Sequence, residues 1–129
     1  MPSDRVTLTV PAKGEFAKTA RMTVAELASR IGMSYDEVDD VRMAAEEAFI
    51  YACNRSGGGD VSFAVELIVD GIAVTVGPVP ASAGATPEDE AQDRYAAFIL
   101  ESVCDEFSIE RTDAGNVLRL VRRMGENRA

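Results

Sequence analysis

The chain has 129 residues, of which 47% are apolar and 27% charged, enough for one domain with a single core but too apolar for global disorder. Its formal net charge of −9 disfavours direct contact with nucleic acid or an anionic membrane, and favours a basic partner or plain solubility. Histidine and tryptophan are absent, which excludes a Ser-His-Asp triad, histidine metal ligands, a phospho-accepting histidine and a tryptophan stacking platform.

No apolar run approaches the ~20 residues of a membrane helix, and the opening MPSDRVTLTV lacks the basic-then-apolar order of a signal peptide. A cytoplasmic protein is the expectation. The spacing of Cys53 and Cys104 matches no zinc or redox motif, so both are expected as buried thiols, and no metal site is expected.

In chain order, residues 5–10 alternate and are β-branched, which predicts a strand. Residues 15–31 follow with helical spacing, placing Phe16, Ala20, Val24, Leu27, Ala28 and Ile31 on one face, and Gly32 closes the helix. Ser34 and Glu37 form a capping box that opens a second helix, with Asp36 complementing its dipole. Val38, Val41, Ala45, Ala48 and Ala52 give that helix a core face of small residues. Its middle carries Glu46 and Glu47, with Tyr51 and Asn54 one and two turns beyond Glu47 on the same face. A carboxylate held there can serve as a general base or be an ordinary solvated charge, and the helix alone leaves both open.

Gly57, Gly58 and Gly59 stop the helix. Residues 60–70 and 72–76 read as two strands with Asp70-Gly71 as a two-residue hairpin turn. Residues 77–86 (GPVPASAGAT) read as a long loop. Thr86 and Pro87 open a third helix that runs to about residue 105, with Tyr95, Phe98, Ile99, Ser102 and Val103 as its expected inner face. Residues 107–112 and 117–122 are the last strands, turning at 113–116, and the polar tail 125–129 is expected to fray. Arg119, Arg122 and Arg123 are expected to pair with neighbouring acids. This order predicts a single domain over 1–129. Its fold class is α+β: a two-layer sandwich with a mostly antiparallel mixed β-sheet covered on one face by three helices.

Three segments carry a resemblance. Residues 39–48 (DDVRMAAEEA) are similar to a helix reading (E/D)-x-(R/K)-x-A-x-x-E-A, residues 65–76 form the hairpin that follows it, and residues 98–107 (FILESVCDEF) lead from a helix into a strand. Together with the element order they resemble the GHKL (histidine-kinase-like) ATPase fold. Within it the chain looks like the small bacterial anti-sigma factors with serine-kinase activity, the RsbW and SpoIIAB type. The likeness covers nearly the whole chain.

The resemblance implies an ATP site built from three boxes, and this sequence departs from each. Glu47 stands at the family's general-base glutamate. The magnesium-binding asparagine four residues on is Tyr51, a poor magnesium ligand, and Asn54 comes too late to replace it. Pro78 stands about where an aspartate should contact adenine, with neither carboxylate nor N–H. The phosphate-wrapping glycines are missing from 93–98, where Arg94 is the remaining cation opposing the acids of 88–93.

The expectation is therefore an anti-sigma-like transcription regulator that sequesters a sigma factor by surface complementarity, without a nucleotide cofactor. Asp36, Glu37, Asp39 and Asp40 are its candidate partner contacts. The resemblance further implies an anti-anti-sigma (STAS) partner and a possible homodimer. Two alternatives stay beside it: an active serine protein kinase with a rearranged ATP and magnesium site and Glu47 as base, and a GHKL-like module for another partner or a small ligand.

Overall fold

The computed structural model describes residues 4–56, 58–80 and 86–125. The predicted features that fall on residues 57, 81–85 and 126–129 (the first glycine of the helix stop, most of the loop and the tail) lie outside the described residues.

Five strands, β1 (Asp4–Pro11), β2 (Asp60–Ile68), β3 (Gly71–Val79), β4 (Glu106–Thr112) and β5 (Gly115–Arg123), form one sheet in the order β1-β2-β3-β5-β4. Every described pairing is antiparallel. Three helices, α1 (Ala17–Arg30), α2 (Tyr35–Ser56) and α3 (Pro87–Val103), complete the α+β sandwich. A short 3-10 turn over Gly14–Phe16 leads into α1, so the α-helix proper starts two residues later than its periodicity suggested. Among the described residues no helix is long and apolar enough to cross a membrane.

Local sequence chemistry sets the helix ends. Gly32, at φ +92°, closes α1 in a Schellman motif: Met33 N–H donates to Ala28 C=O at 3.2 Å and Gly32 N–H to Ser29 C=O at 3.1 Å. The Ser34 capping box forms as predicted, Glu37 N–H donating to Ser34 Oγ at 3.1 Å and Ser34 N–H to Glu37 Oε1 at 2.7 Å. Thr86 and Asp89 build a second reciprocal box at α3.

The core lies between the sheet and the helices. Val61, Phe63 and Val65 of β2, Ile72, Val74 and Val76 of β3, and Leu118 and Leu120 of β5 turn one face inward by strand alternation. Ala44, Ala45, Ala48 and Ala52 bring α2 close above them, and the fully buried Phe49 stacks on Phe63 with ring centroids 6.3 Å apart. Cys53 and Cys104 are free and partly buried against this core. Burial pushes the Cys104 thiol up to about 12, so it stays protonated and unreactive.

The structure revises three expectations. The hairpin turn is Val69 and Asp70, with Gly71 already paired to Ile68. Residues 77–79 extend β3 through a register shift instead of opening the loop. The inner face of α3 is carried by Ala96 and Leu100, leaving Tyr95 and Phe98 exposed.

Two of the three β5 arginines pair as expected, Arg122 with Asp40 and Asp105 and Arg123 with Asp70 and Glu106, whereas Arg119 is exposed and pairs with no acid among the described residues. Glu37 goes further, since its Oε2 accepts from Gly125 N–H at 2.6 Å and so ties the start of α2 to the chain after β5. The carboxylate serves two N–H groups at once, one on each oxygen; an amide at that site keeps one acceptor and turns its NH2, a donor, toward the other N–H, so one bond is lost outright. Glu37→Gln is expected to cost about 2 kcal/mol, the cost of one buried N–H left without an acceptor, read as a shift in the urea midpoint.

Candidate functional site

The sequence's two adjacent glutamates part company on α2. Glu46 faces α1, where Arg21 donates to it at 2.8 Å. Glu47 faces the other way, into a cleft of about 570 Å³ between α2 and α3. Ile50, Tyr51, Asn54 and Arg55 join it from α2, and Gln92, Asp93 and Tyr95 from α3. These positions recur at three- and four-residue steps, so one stripe of each helix lines the cleft.

Two polar bridges close the seam. Arg55 forms an ion pair with Asp93, and Asn54 Nδ2 donates to Gln92 Oε1 at 3.4 Å. Arg55 also lies over the Tyr51 ring, 3.9 Å from its centroid. Tyr51 is buried, and its hydroxyl accepts from Asn116 Nδ2 at 3.4 Å. The phenol is thus held from above by a cation and at its tip by β5.

Glu47 is half-buried, and among the described residues no hydrogen bond or ion pair satisfies it. Burial raises its carboxyl above the ordinary value, and the charge of Glu46 adds to the shift. With the folded value raised, the folded state holds its proton to higher pH than the unfolded chain. This group therefore costs stability as pH rises above the ordinary carboxylate range. Glu47→Gln is expected to raise the melting temperature at pH 7, with the gain shrinking as pH falls through that range. A lower melting temperature at pH 7 counts against this account.

The remaining predicted positions lie apart. Pro78 sits exposed in the irregular end of β3, and Arg94 is exposed on α3; neither lines the cleft. The cation that does line it is Arg55, which the sequence reading passed over although it stands on the Glu47 stripe, one turn beyond Tyr51. Of the acidic group at the start of α2, Glu37 is only 6% exposed and tied to backbone, and Asp40 pairs with Arg122. Asp39 pairs with Arg42 at 2.5 Å on the surface, and Asp36 is exposed.

Magnesium-ATP does not fit this cleft. The position at which the resemblance implies a metal-binding amide presents a buried phenol whose oxygen is engaged by Asn116. The cation that could meet a phosphate is committed to Asp93, and the other charge in the cleft is the carboxylate of Glu47.

Comparison with known proteins agrees with the fold. A family model described as the histidine kinase-like ATPase domain matches residues 10–122. The chain is 28% identical to the serine-protein kinase RsbW of Halalkalibacterium halodurans over 92% of its own length and 83% of that protein. It is 30% identical to the serine-protein kinase RsbW of Oceanobacillus iheyensis, over 57% of this chain and about half (49%) of the relative. Among solved structures, the RsbU and RsbW domains of a Mycobacterium tuberculosis protein superpose with a TM-score of 0.73 at 19% identity, covering 95% of this chain and 33% of that one.

Proposed function

The chain belongs to the histidine kinase-like ATPase domain family, and from that premise we propose that it is an anti-sigma-type transcription regulator. It sequesters a sigma factor in the cytoplasm by protein–protein binding, without ATP-dependent phosphoryl transfer. The resemblance to the RsbW type supports the regulator class, while the relatives' printed name, serine-protein kinase, weighs toward the second reading below. The observation that carries the loss of phosphoryl transfer is Tyr51, buried where the family resemblance requires a metal ligand and held by Arg55 and Asn116. The proposed acidic contact narrows to Asp36 and to Asp39, whose pair with Arg42 is local and half-exposed, because Glu37 and Asp40 are tied to distant parts of the fold.

A second reading, a serine protein kinase acting on a STAS partner, is favoured by Glu47, which lines the cleft at the family's base position with a raised carboxyl pKa. Calorimetric titration with magnesium and ATP separates the two. The expected result is no heat of binding up to millimolar nucleotide; magnesium-dependent binding in the micromolar range sinks the first reading. Affinity purification of the tagged chain from its native cells tests the partner. A sigma factor is expected at near-stoichiometric yield, and its absence removes the regulator reading.

A further inference from the structure

The α2–α3 cleft does not suit an anion, yet it is open and furnished. Its charges are Glu47, Asp93 and Arg55. Arg55 is committed to Asp93 and to the Tyr51 ring, so of the three charges in the cleft Glu47 is the one for which the described residues supply no partner. A carboxylate in this position, partly stripped of water and repelled by Glu46, gains most from an entering cation. Around it the surface is apolar. Ile50 is exposed on α2, and on α3 Tyr95 and Phe98, one turn apart, are 61% and 66% exposed. An open tyrosine beside a carboxylate offers a guanidinium both a face to stack on and two oxygens to bond. A net charge of −9 steers basic partners toward the chain as a whole.

We propose that this cleft is a receptor for one basic side chain, arginine for preference, carried on an apolar segment of a protein partner. Glu47 takes the cation, Ile50 and Tyr95 of the lining take the flanking apolar residues, and Phe98 extends the apolar surface one turn beyond the lining. The partner-binding reading above supplies the context on which this rests. The site would then hold a protein side chain where the family resemblance implies a nucleotide.

The probe is the tripeptide acetyl-Leu-Arg-Leu-amide, followed by NMR on the 15N-labelled full chain. Its control is the same peptide with citrulline, which keeps the shape of arginine and removes the charge. Amide shifts are expected to cluster at Glu47, Ile50, Tyr95 and Ala96. The citrulline peptide is expected to bind about tenfold or more weakly, as is the arginine peptide to a Glu47→Gln chain that melts no lower than wild type. Shifts elsewhere, equal affinity for the two peptides, or undiminished binding to Glu47→Gln overturns the proposal.

Purification from native cells tells its failure from that of the regulator reading. A sigma factor recovered equally by wild type and Glu47→Gln overturns the cleft as the contact and leaves the regulator standing. The tripeptide result as expected, with no sigma factor recovered, leaves the cleft and overturns the regulator.

Discussion

Gly71→Ala is expected to cost about 3 kcal/mol, at the upper end of what overpacking does, and to lower the melting temperature by about 10 °C. Gly71 begins β3, the central strand, and lies against the end of β5, opposite Arg123. A methyl group there would stand 2.2 Å from the Arg122 carbonyl oxygen and 2.8 Å from Arg123 Cα. Both obstacles are backbone, so no side chain can swing aside. Relief requires the β3–β5 pairing to open, beside a strand whose Arg122 and Arg123 hold four acids between them. Two other glycines separate this steric cause from a conformational one. Gly32 has open space around its missing Cβ but sits at φ +92°, so alanine there should cost about 1 kcal/mol from backbone strain alone. Gly14 has open space and no such backbone constraint, and alanine there should fall within about 0.5 kcal/mol of wild type. Urea midpoints for the three variants test the ranking; a Gly71→Ala chain as stable as Gly14→Ala would show that the β3–β5 approach is not tight.

The same glycine marks where the sequence could and could not be read. Asp70-Gly71 announced a hairpin, and a hairpin is there, but the turn falls one residue earlier because the glycine answers to a neighbouring strand some fifty residues away in the chain. Signals that act within four residues were legible: the Ser34–Glu37 box, the Gly32 closure and the Thr86 cap all form where the sequence put them. The inner face of α3 was not, since Tyr95 and Phe98 make as good an apolar stripe as Ala96 and Leu100. Periodicity finds a stripe without saying which one meets the core. In the fold it is Ala96 and Leu100 that are buried, and Tyr95 and Phe98 that face outward.

At the candidate site, Glu47 and Tyr51 were legible because one helix face carries both. Its closing ion pair was not, because Arg55 and Asp93 are 38 residues apart and meet only when α3 folds back on α2. The fate of the acidic run at 36–40 was also hidden. Charge density suggested a surface patch, but Glu37 had a backbone N–H waiting at Gly125, at a sequence separation of 88.

Arg55→Ala is expected to cost about 2–3 kcal/mol, below the 3–5 kcal/mol of a fully buried pair, because the Arg55 side chain is 7% exposed but its partner Asp93 is 39% exposed. The loss has two parts: the ion pair to Asp93, and about 1 kcal/mol from the guanidinium over Tyr51. A double-mutant cycle apportions them. Asp93→Asn combined with Arg55→Ala should be markedly less than additive, and Tyr51→Leu with Arg55→Ala should show a smaller coupling. Additivity in both cycles would mean that the seam between α2 and α3 is held by apolar contact alone. The variant also bears on the chemistry of the cleft. Removing Arg55 leaves Glu47 and Asp93 facing each other across it without a cation, so affinity for magnesium-ATP should not appear. The acetyl-Leu-Arg-Leu-amide probe should bind at least as well as to wild type, because the cleft then carries two unpaired carboxylates. The residue that stabilises the fold would then also limit the charge that the open cleft offers a partner.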